Sequence, residues 1–293
     1  MPPMDDNVTA QYWNDRHFDP SYAREEWSFH PVALARMARL LGYRSREEWF
    51  WARYLQGRSN LSGVGIGVGL GRTELALIAS GVFEHYDLYD MSERALDAVR
   101  RHAVSLGIDD RISFRCQNFE LADPGNERYD VVTFIHSLHH IVDLDKTLAS
   151  CKAALKPGGR FWAVEYIGPD HFQYPAEHTA FARRFYRTVH PGLKKLWTPE
   201  LTFPTREEVI AADPTEAIHS ADIPGAIHAA FDRVETIYTY GSFAFMLFWG
   251  LLPDALYESP LGHEFVETLL DIDTMLIDSG RLPHYFAYFV ATK

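Results

Sequence analysis

Glycine occupies positions 63, 65, 67, 69 and 71, and an apolar run over 75–79 follows shortly after. Glycine at this density weakens both helices and strands, so the backbone must approach another group closely or take positive φ values. The apolar run predicts a helix whose N-terminal N–H groups and positive dipole end face the glycine loop. Such a loop is suited to hold a cofactor, although the glycines alone do not identify it.

Polar residues that could do chemistry follow three further segments with strand-like patterns. They are Asp90, Asn118, His136, His139 and His140. A carboxylate at the end of a strand can accept hydrogen bonds from the two vicinal hydroxyls of a ribose, and histidine can transfer a proton near neutral pH. The H-x-x-H-H spacing also allows a metal ion, but no carboxylate cluster accompanies it in the sequence. We therefore predict no metal site.

The segments that must position these residues alternate between strand and helix patterns. Five strands are predicted, over 61–66, 83–90, 112–117, 129–135 and 160–167. Strands separated by helices predict βαβ units and a doubly wound, mostly parallel α/β sheet. Ligands of such sheets bind outside the carboxyl ends of the strands. We therefore expect the glycine loop, the acid, the amide and the histidines to meet at one edge of the sheet.

The rest of the chain is predicted to surround this core. The predicted parts are an N-terminal helical lid over 1–60, a cofactor-binding core over 61–169, a helical substrate-binding insertion over 170–230, and the last strands of the sheet within 231–293. Those last strands are expected at 231–240 and 284–292. No linker divides the chain into independent domains.

Composition limits the partners and the location. The formal net charge of −12 argues against nucleic acid as the main partner. The longest apolar run, near 243–252, is too short to span a bilayer. Two cysteines without C-x-x-C spacing, and first residues without a hydrophobic signal segment, predict a cytoplasmic protein.

The glycine spacing argues against a nicotinamide cofactor. The dinucleotide fingerprint is G-x-G-x-x-G/A. In the four possible registers the last position holds Val68, Leu70, Arg72 or Glu74. The pattern that fits is G-x-G-x-G over 67–71, which favours a nucleoside ligand without a diphosphate.

Over 61–167 the sequence resembles class I S-adenosylmethionine-dependent methyltransferases of the small-molecule type. The segment Gly-Val-Gly-Leu-Gly at 67–71 resembles the first motif of that family, and Asp90 its ribose-binding acid. The segments 129–141 and 155–161 resemble later motifs. The resemblance implies S-adenosyl-L-methionine as cofactor, S-adenosyl-L-homocysteine as product, and a seven-stranded sheet of order 3-2-1-4-5-7-6. The cofactor-binding residues that it implies are Gly67, Val68, Gly69, Gly71, Asp90, Met91, Asn118, Phe119 and His136.

One position departs from the family pattern. The family usually has an acid two residues before the first motif glycine, where it helps to bind the amino group of the methionine end. This chain has Gly65 there. Glu74, Asp130 or a solvent bridge are the candidates to replace that acid.

Methyl transfer from a sulfonium mainly needs proximity and alignment, and a general base helps only when the nucleophile carries a proton of high pKa. The candidates for that base are His136, His139, His140, Glu165 and Tyr166. The nucleophile is an oxygen, nitrogen or carbon atom of a small molecule, such as a biosynthetic intermediate, a natural product or a sugar. Two alternatives stay open: a non-methylation reaction on the same fold, and a non-catalytic binding subunit. The oligomeric state is open, a homodimer included.

Two sets of residues are candidates for contacting the substrate. An aromatic chamber is predicted from Tyr12, Trp13, Trp27, Tyr166, Phe172, Tyr174, Phe181, Tyr186 and Trp197, although core packing explains most of these residues equally well. A basic stripe on the insertion consists of Arg183, Arg184, Arg187, Lys194 and Lys195. The stripe is suited either to an acidic small molecule or to a solvated helix face.

Overall fold

A seven-stranded sheet runs through the centre of the computed structural model, which describes residues 6–16, 27–196, 198, 200–248 and 254–293. The strands are β1 (Leu61–Ile66), β2 (Phe83–Asp90), β3 (Ile112–Cys116), β4 (Tyr129–Ile135), β5 (Leu155–Tyr166), β6 (Arg233–Tyr238) and β7 (Phe286–Thr292). Their order is β3-β2-β1-β4-β5-β7-β6. Strands β1 to β5 pair in parallel, and β7 is antiparallel to β5 and β6. The predicted fold class and strand order are confirmed.

Helices cover both faces of the sheet and its carboxyl edge. They are α1 (Asp6–Arg16), α2 (Pro31–Leu41), α3 (Arg46–Phe50), α4 (Arg72–Ala79), α5 (Glu93–Leu106), α6 (Leu144–Ala154), α7 (Ala176–Thr188), α8 (Pro191–Leu196), α9 (Arg206–Ala212), α10 (Ile223–Ala230), α11 (Ser242–Phe248), α12 (Asp254–Glu258) and α13 (Pro260–Asp278). The Ser92 hydroxyl accepts a hydrogen bond from Ala95 N, and Thr205 and Glu208 form a capping box, so α5 and α9 both begin at hydrogen-bonded caps. None of the described helices is long and apolar enough to cross a membrane.

The N-terminal helices belong partly to the core. Trp49 and Phe50 are almost fully buried on one face of the sheet, where the Phe50 ring stacks on Trp162 with centroids 4.2 Å apart. Burial of such large rings contributes on the order of 2–3 kcal/mol each. Helix α3 is therefore fixed on the sheet, and it holds the residues that precede it near the carboxyl edge of the strands.

The structure shifts several predicted strand boundaries. Strand β3 ends one residue earlier than predicted, β6 is shorter at both ends, and β7 begins at Phe286 rather than at 284. Strand β5 begins at Leu155 rather than at 160, because Leu155 pairs with Tyr129 and the chain then bulges before Arg160 resumes pairing opposite Val131. Helix α13 begins at Pro260, where the Ser259 hydroxyl caps it by accepting a hydrogen bond from Gly262 N. The early pairing of Leu155 and the Ser259 cap are local features of the chain. Neither alters the hydrophobic periodicity from which helices and strands were predicted.

Candidate active site

The carboxyl ends of β1, β2, β3 and β4 border a cavity of about 220 Å³, hereafter the edge cavity. Helix α1 lies against it through Thr9 and Trp13. All nine residues that the family resemblance implied as cofactor-binding line this cavity: Gly67, Val68, Gly69, Gly71, Asp90, Met91, Asn118, Phe119 and His136. The structure thus brings the predicted set together, and its binding role stays a prediction.

The loop between β1 and α4 has a backbone that only glycine adopts easily. Gly67, Gly69 and Gly71 have φ values of 62°, 50° and 60°. A Cβ on Gly67 would also lie 2.6 Å from the Cβ of Ser137, in the loop after β4. The glycine loop therefore passes so close to the loop after β4 that a side chain at this position has no room.

The Asp90 carboxylate is held in place by the backbone around it. One oxygen accepts a hydrogen bond from Gly69 N at 2.8 Å and the other accepts one from Ser92 N at 2.7 Å. Burial raises the pKa of this carboxyl, and the backbone donors act in the opposite direction. The side chain is 8% exposed and lines the edge cavity, so its remaining acceptor capacity is available on the cavity side.

Glu74 occupies the space above Gly65. A Cβ on Gly65 would lie 2.9 Å from Glu74 Cγ and 3.2 Å from Thr133 Oγ1, and that hydroxyl donates a hydrogen bond to Glu74 at 3.2 Å. Burial raises the pKa of Glu74 to about 7. Asp130 accepts hydrogen bonds from Arg58, Lys156 and Ser62 N instead. Of the two acids considered for the place of Gly65, only Glu74 lines the edge cavity.

The loop after β4 is fixed by a fully buried carboxyl group. Glu165, near the end of β5, accepts hydrogen bonds from Ser137 N at 2.9 Å and Leu138 N at 2.7 Å, and its other oxygen lies 2.7 Å from His139 Nδ1. Burial by itself lowers the pKa of His139, but the Glu165 carboxylate raises it above its ordinary value. Ser137 Oγ donates to the carbonyl of Ile66 at 2.6 Å, so the loops after β1 and β4 are joined.

The candidates for a general base lie in different environments. His136 lines the edge cavity and also a second, larger one. Burial lowers its pKa well below the ordinary value, so the ring is neutral and its protonated form is disfavoured. His140 lines the edge cavity only. His139, Glu165 and Tyr166 line neither cavity, and the Tyr166 hydroxyl donates to the Pro169 carbonyl at 3.1 Å.

The second cavity, hereafter the inner cavity, has a volume of about 830 Å³. Its walls come from α2, the start of α3, α13 and the ends of β5 and β7. The residues that border both cavities are Phe29, Arg46, Arg72 and His136. The phenylalanine and the two arginines were not among the predicted site residues, since nothing in the local sequence distinguishes them from ordinary surface and packing residues.

The predicted substrate-contacting residues lie in different parts of the structure. Trp13 lines the edge cavity and Trp27 the inner cavity, whereas Tyr166 and Phe172 belong to a buried aromatic cluster. The basic stripe on α7 and α8 lines neither cavity, which fits a solvated helix face. Trp197 lies outside the described residues.

Comparison with known sequences gives a match to the central region. Residues 64–161 match the family model of a methyltransferase domain. The chain is similar to the ubiquinone biosynthesis O-methyltransferase of Coxiella burnetii (strain Dugway 5J108-111), with 30% identity over 118 residues, which are 38% of this chain and 47% of that protein. The chain thus spans about half the length of the curated relatives it matches.

Comparison with solved structures extends the likeness to the fold of the whole chain. The structure of phosphoethanolamine N-methyltransferase 2 from Haemonchus contortus is similar to this one, with a TM-score of 0.53 and 14% sequence identity. The match covers 91% of this chain and 58% of that chain. The structure of the cyclase SpnF is similar too, with a TM-score of 0.52 and 12% sequence identity. This match covers 99% of this chain and 96% of that chain. At this identity the likeness is one of fold alone.

The role of Glu165 generates a stability prediction. In Glu165→Gln the amide keeps one acceptor oxygen but loses the charge and the second acceptor. We expect the free energy of unfolding to fall by about 3 kcal/mol, because buried donors lose a charged partner. Urea denaturation followed by circular dichroism measures the change, with Glu84→Gln, at an exposed position of β2, as the matched control. Equal stability of the two variants would contradict this role.

Proposed function

We propose that this chain, which matches the family model of a methyltransferase domain over residues 64–161, transfers the methyl group of S-adenosylmethionine to a small molecule and releases S-adenosylhomocysteine. The main support for the proposal is that the ends of four successive strands border one cavity. The glycine loop, Asp90, Asn118 and His136 line that cavity together. When bound there, S-adenosylmethionine supplies a methyl group on sulfur that is already activated for displacement.

The residues of the edge cavity fit the parts of this cofactor. Asn118 and Phe119 offer an amide and an aromatic edge for an adenine, and the Asp90 carboxylate offers acceptors for the two ribose hydroxyls. Glu74 and Arg46 offer opposite charges for the zwitterionic methionine end. Arg46 is held for this role by Glu47 at 3.0 Å and by Thr73 at 2.9 Å.

The inner cavity is the proposed place of the methyl acceptor. It meets the edge cavity at His136, whose neutral ring can accept a hydrogen bond from the nucleophile and orient it. The Arg72 guanidinium stacks on Phe29 at 4.9 Å at the same junction, and no carboxylate of the described residues forms an ion pair with it. Positive charge beside apolar walls favours a small acidic molecule with an apolar body. The accepting atom is an oxygen, nitrogen or carbon.

A second candidate function is a reaction without methyl transfer. It is favoured by the likeness in fold to SpnF, which is named as a cyclase and is covered over 96% of its length. A non-catalytic binding subunit is the third possibility. All three share the cavities described above, so product analysis must separate them.

Labelled cofactor distinguishes these functions. The chain is incubated with S-adenosylmethionine carrying a ¹³C-methyl group and with fractions of a small-molecule extract, and the products are analysed by mass spectrometry. We expect S-adenosylhomocysteine and a labelled product in equal amounts. Conversion of a compound without S-adenosylhomocysteine would favour the second function. Failure to bind either nucleoside would contradict both enzymatic functions.

The proposed location is the cytoplasm, and the proposed partner is a small molecule. Cys116 is exposed and Cys151 is buried, and neither forms a disulfide, as is usual in a reducing compartment. The net charge of −12 disfavours a nucleic-acid partner. The oligomeric state is left open.

The raised pKa of Glu74 predicts how cofactor binding depends on pH. An ammonium group binds the ionised carboxylate, so below pH 7 binding must release a proton from Glu74. We expect the Kd for S-adenosylhomocysteine to rise about tenfold from pH 7.5 to pH 6. Calorimetry in buffers of different ionisation enthalpy measures both the Kd and the proton release.

Two variants check that this dependence comes from Glu74. Glu74→Gln should bind more weakly and lose the pH dependence, whereas Glu93→Gln, at an exposed first-turn position of α5, should match the original chain. Without ligand, the Glu74 contribution to the free energy of unfolding declines as pH rises from 4.5 to about 7, because folding favours the protonated carboxyl. An unchanged pH profile in Glu74→Gln would exclude the acid from the methionine end.

A further inference from the structure

Two adjacent histidines and a glutamate distant in sequence meet beside the edge cavity. His139, His140 and Glu216 each place one potential metal-ligand atom within 4.8 Å of the other two. His139 Nε2 lies 3.6 Å from Glu216 Oε1. Two ligands at 2.0–2.1 Å from a tetrahedral ion are about 3.3 Å apart, so this spacing is close to that of a metal site.

Each histidine is held by a buried acid behind it. His139 Nδ1 lies 2.7 Å from Glu165, which is fully buried. His140 Nδ1 lies 3.1 Å from Thr215 Oγ1 and 3.5 Å from Asp213, which is 1% exposed. In metal sites the histidine typically donates one ring N–H to a carboxylate or hydroxyl, which orients the other nitrogen toward the ion. Both histidines have this arrangement.

The segment that carries Glu216 is also held in place. Ile218 N donates to the His139 carbonyl at 3.2 Å, and Asp213 accepts hydrogen bonds from Thr215 N and Thr215 Oγ1 at 2.9 and 2.7 Å. The Glu216 side chain is 18% exposed. The third ligand therefore needs little rearrangement to reach an ion.

The cluster concentrates negative charge. Three acids, Glu165, Asp213 and Glu216, surround the two imidazoles, and in the described part of the chain neither lysine nor arginine forms an ion pair with any of them. Neutral donors bind two of these acids without neutralising the charge: backbone N–H groups donate to Glu165, and the Thr215 hydroxyl and the Trp13 indole donate to Asp213. In the described part of the chain the ion pairs of these acids are with the two imidazoles, so a divalent cation at this place would add positive charge and stabilise the fold.

We propose that His139, His140 and Glu216 bind a divalent first-row transition-metal ion of the Zn²⁺ class, for which two imidazoles and one carboxylate are a common ligand set. The ion joins the loop after β4 to the 213–218 segment of the insertion. Because His140 lines the edge cavity, a fourth coordination position can take water or an oxygen of a bound molecule. The sequence-based prediction of no metal considered only the histidine run, and Glu216 is 76 positions beyond His140.

The test uses the full chain without a histidine tag, stripped with a chelator and then titrated with Zn²⁺ by calorimetry and with Co²⁺ by visible absorption. We expect one ion per chain with a Kd at or below the micromolar range, a Co²⁺ spectrum of a four- or five-coordinate site, and a higher melting temperature with Zn²⁺. Glu216→Gln and His140→Gln should each weaken binding about a hundredfold.

Matched controls separate this site from adventitious binding, since the chain has 14 histidines. Glu207→Gln and His102→Gln alter exposed positions and should leave the Zn²⁺ affinity unchanged. Melting of each metal-free variant establishes that it is folded. Absence of binding, binding only at millimolar Zn²⁺, or equal affinity in Glu216→Gln and Glu207→Gln would each overturn the proposal.

Discussion

The buried carboxyl of Glu165 holds together the elements that form the site. It accepts hydrogen bonds from Ser137 N and Leu138 N, and it contacts His139 Nδ1. The loop that it fixes places Ser137 so close to the glycine loop that Gly67 cannot carry a side chain. It also places His136 at the junction of the two cavities. Glu165 was a candidate base in the sequence, and its contacts instead favour a positioning role.

The distribution of charge at the two cavities differs from that of the whole chain. The chain has a formal net charge of −12, yet two arginines, Arg46 and Arg72, lie where the cavities meet. Glu74 lines the edge cavity with them, and burial raises the pKa of its carboxyl to about 7. A site that pairs positive and titratable negative groups is suited to orient a zwitterion at one end and an acidic acceptor at the other.

The fold could be predicted from the sequence because its signals are local. The alternation of strands and helices and the caps at Ser92 and Thr205 appear within a few residues of each element. The residues that line the edge cavity were also predictable, since they lie at or just after the ends of strands and parallel strands end at one edge. Glu74, Arg46 and Glu216 were harder to assign, because their positions depend on packing between segments that are distant in sequence. Gly65 marked an anomaly, but only the packed structure places the Glu74 side chain in the space above it.

The central claim is that the edge cavity binds S-adenosylmethionine through the Asp90 carboxylate. Isothermal titration of S-adenosylhomocysteine into the original chain and into Asp90→Ala tests it most directly, with the exposed Asp97→Ala as the matched control. Losing two hydrogen bonds from a charged acceptor should weaken binding by about a hundredfold or more. Strong binding by the original chain and by Asp97→Ala, with that loss in Asp90→Ala, is the predicted result. Equal affinity in all three proteins would contradict the account.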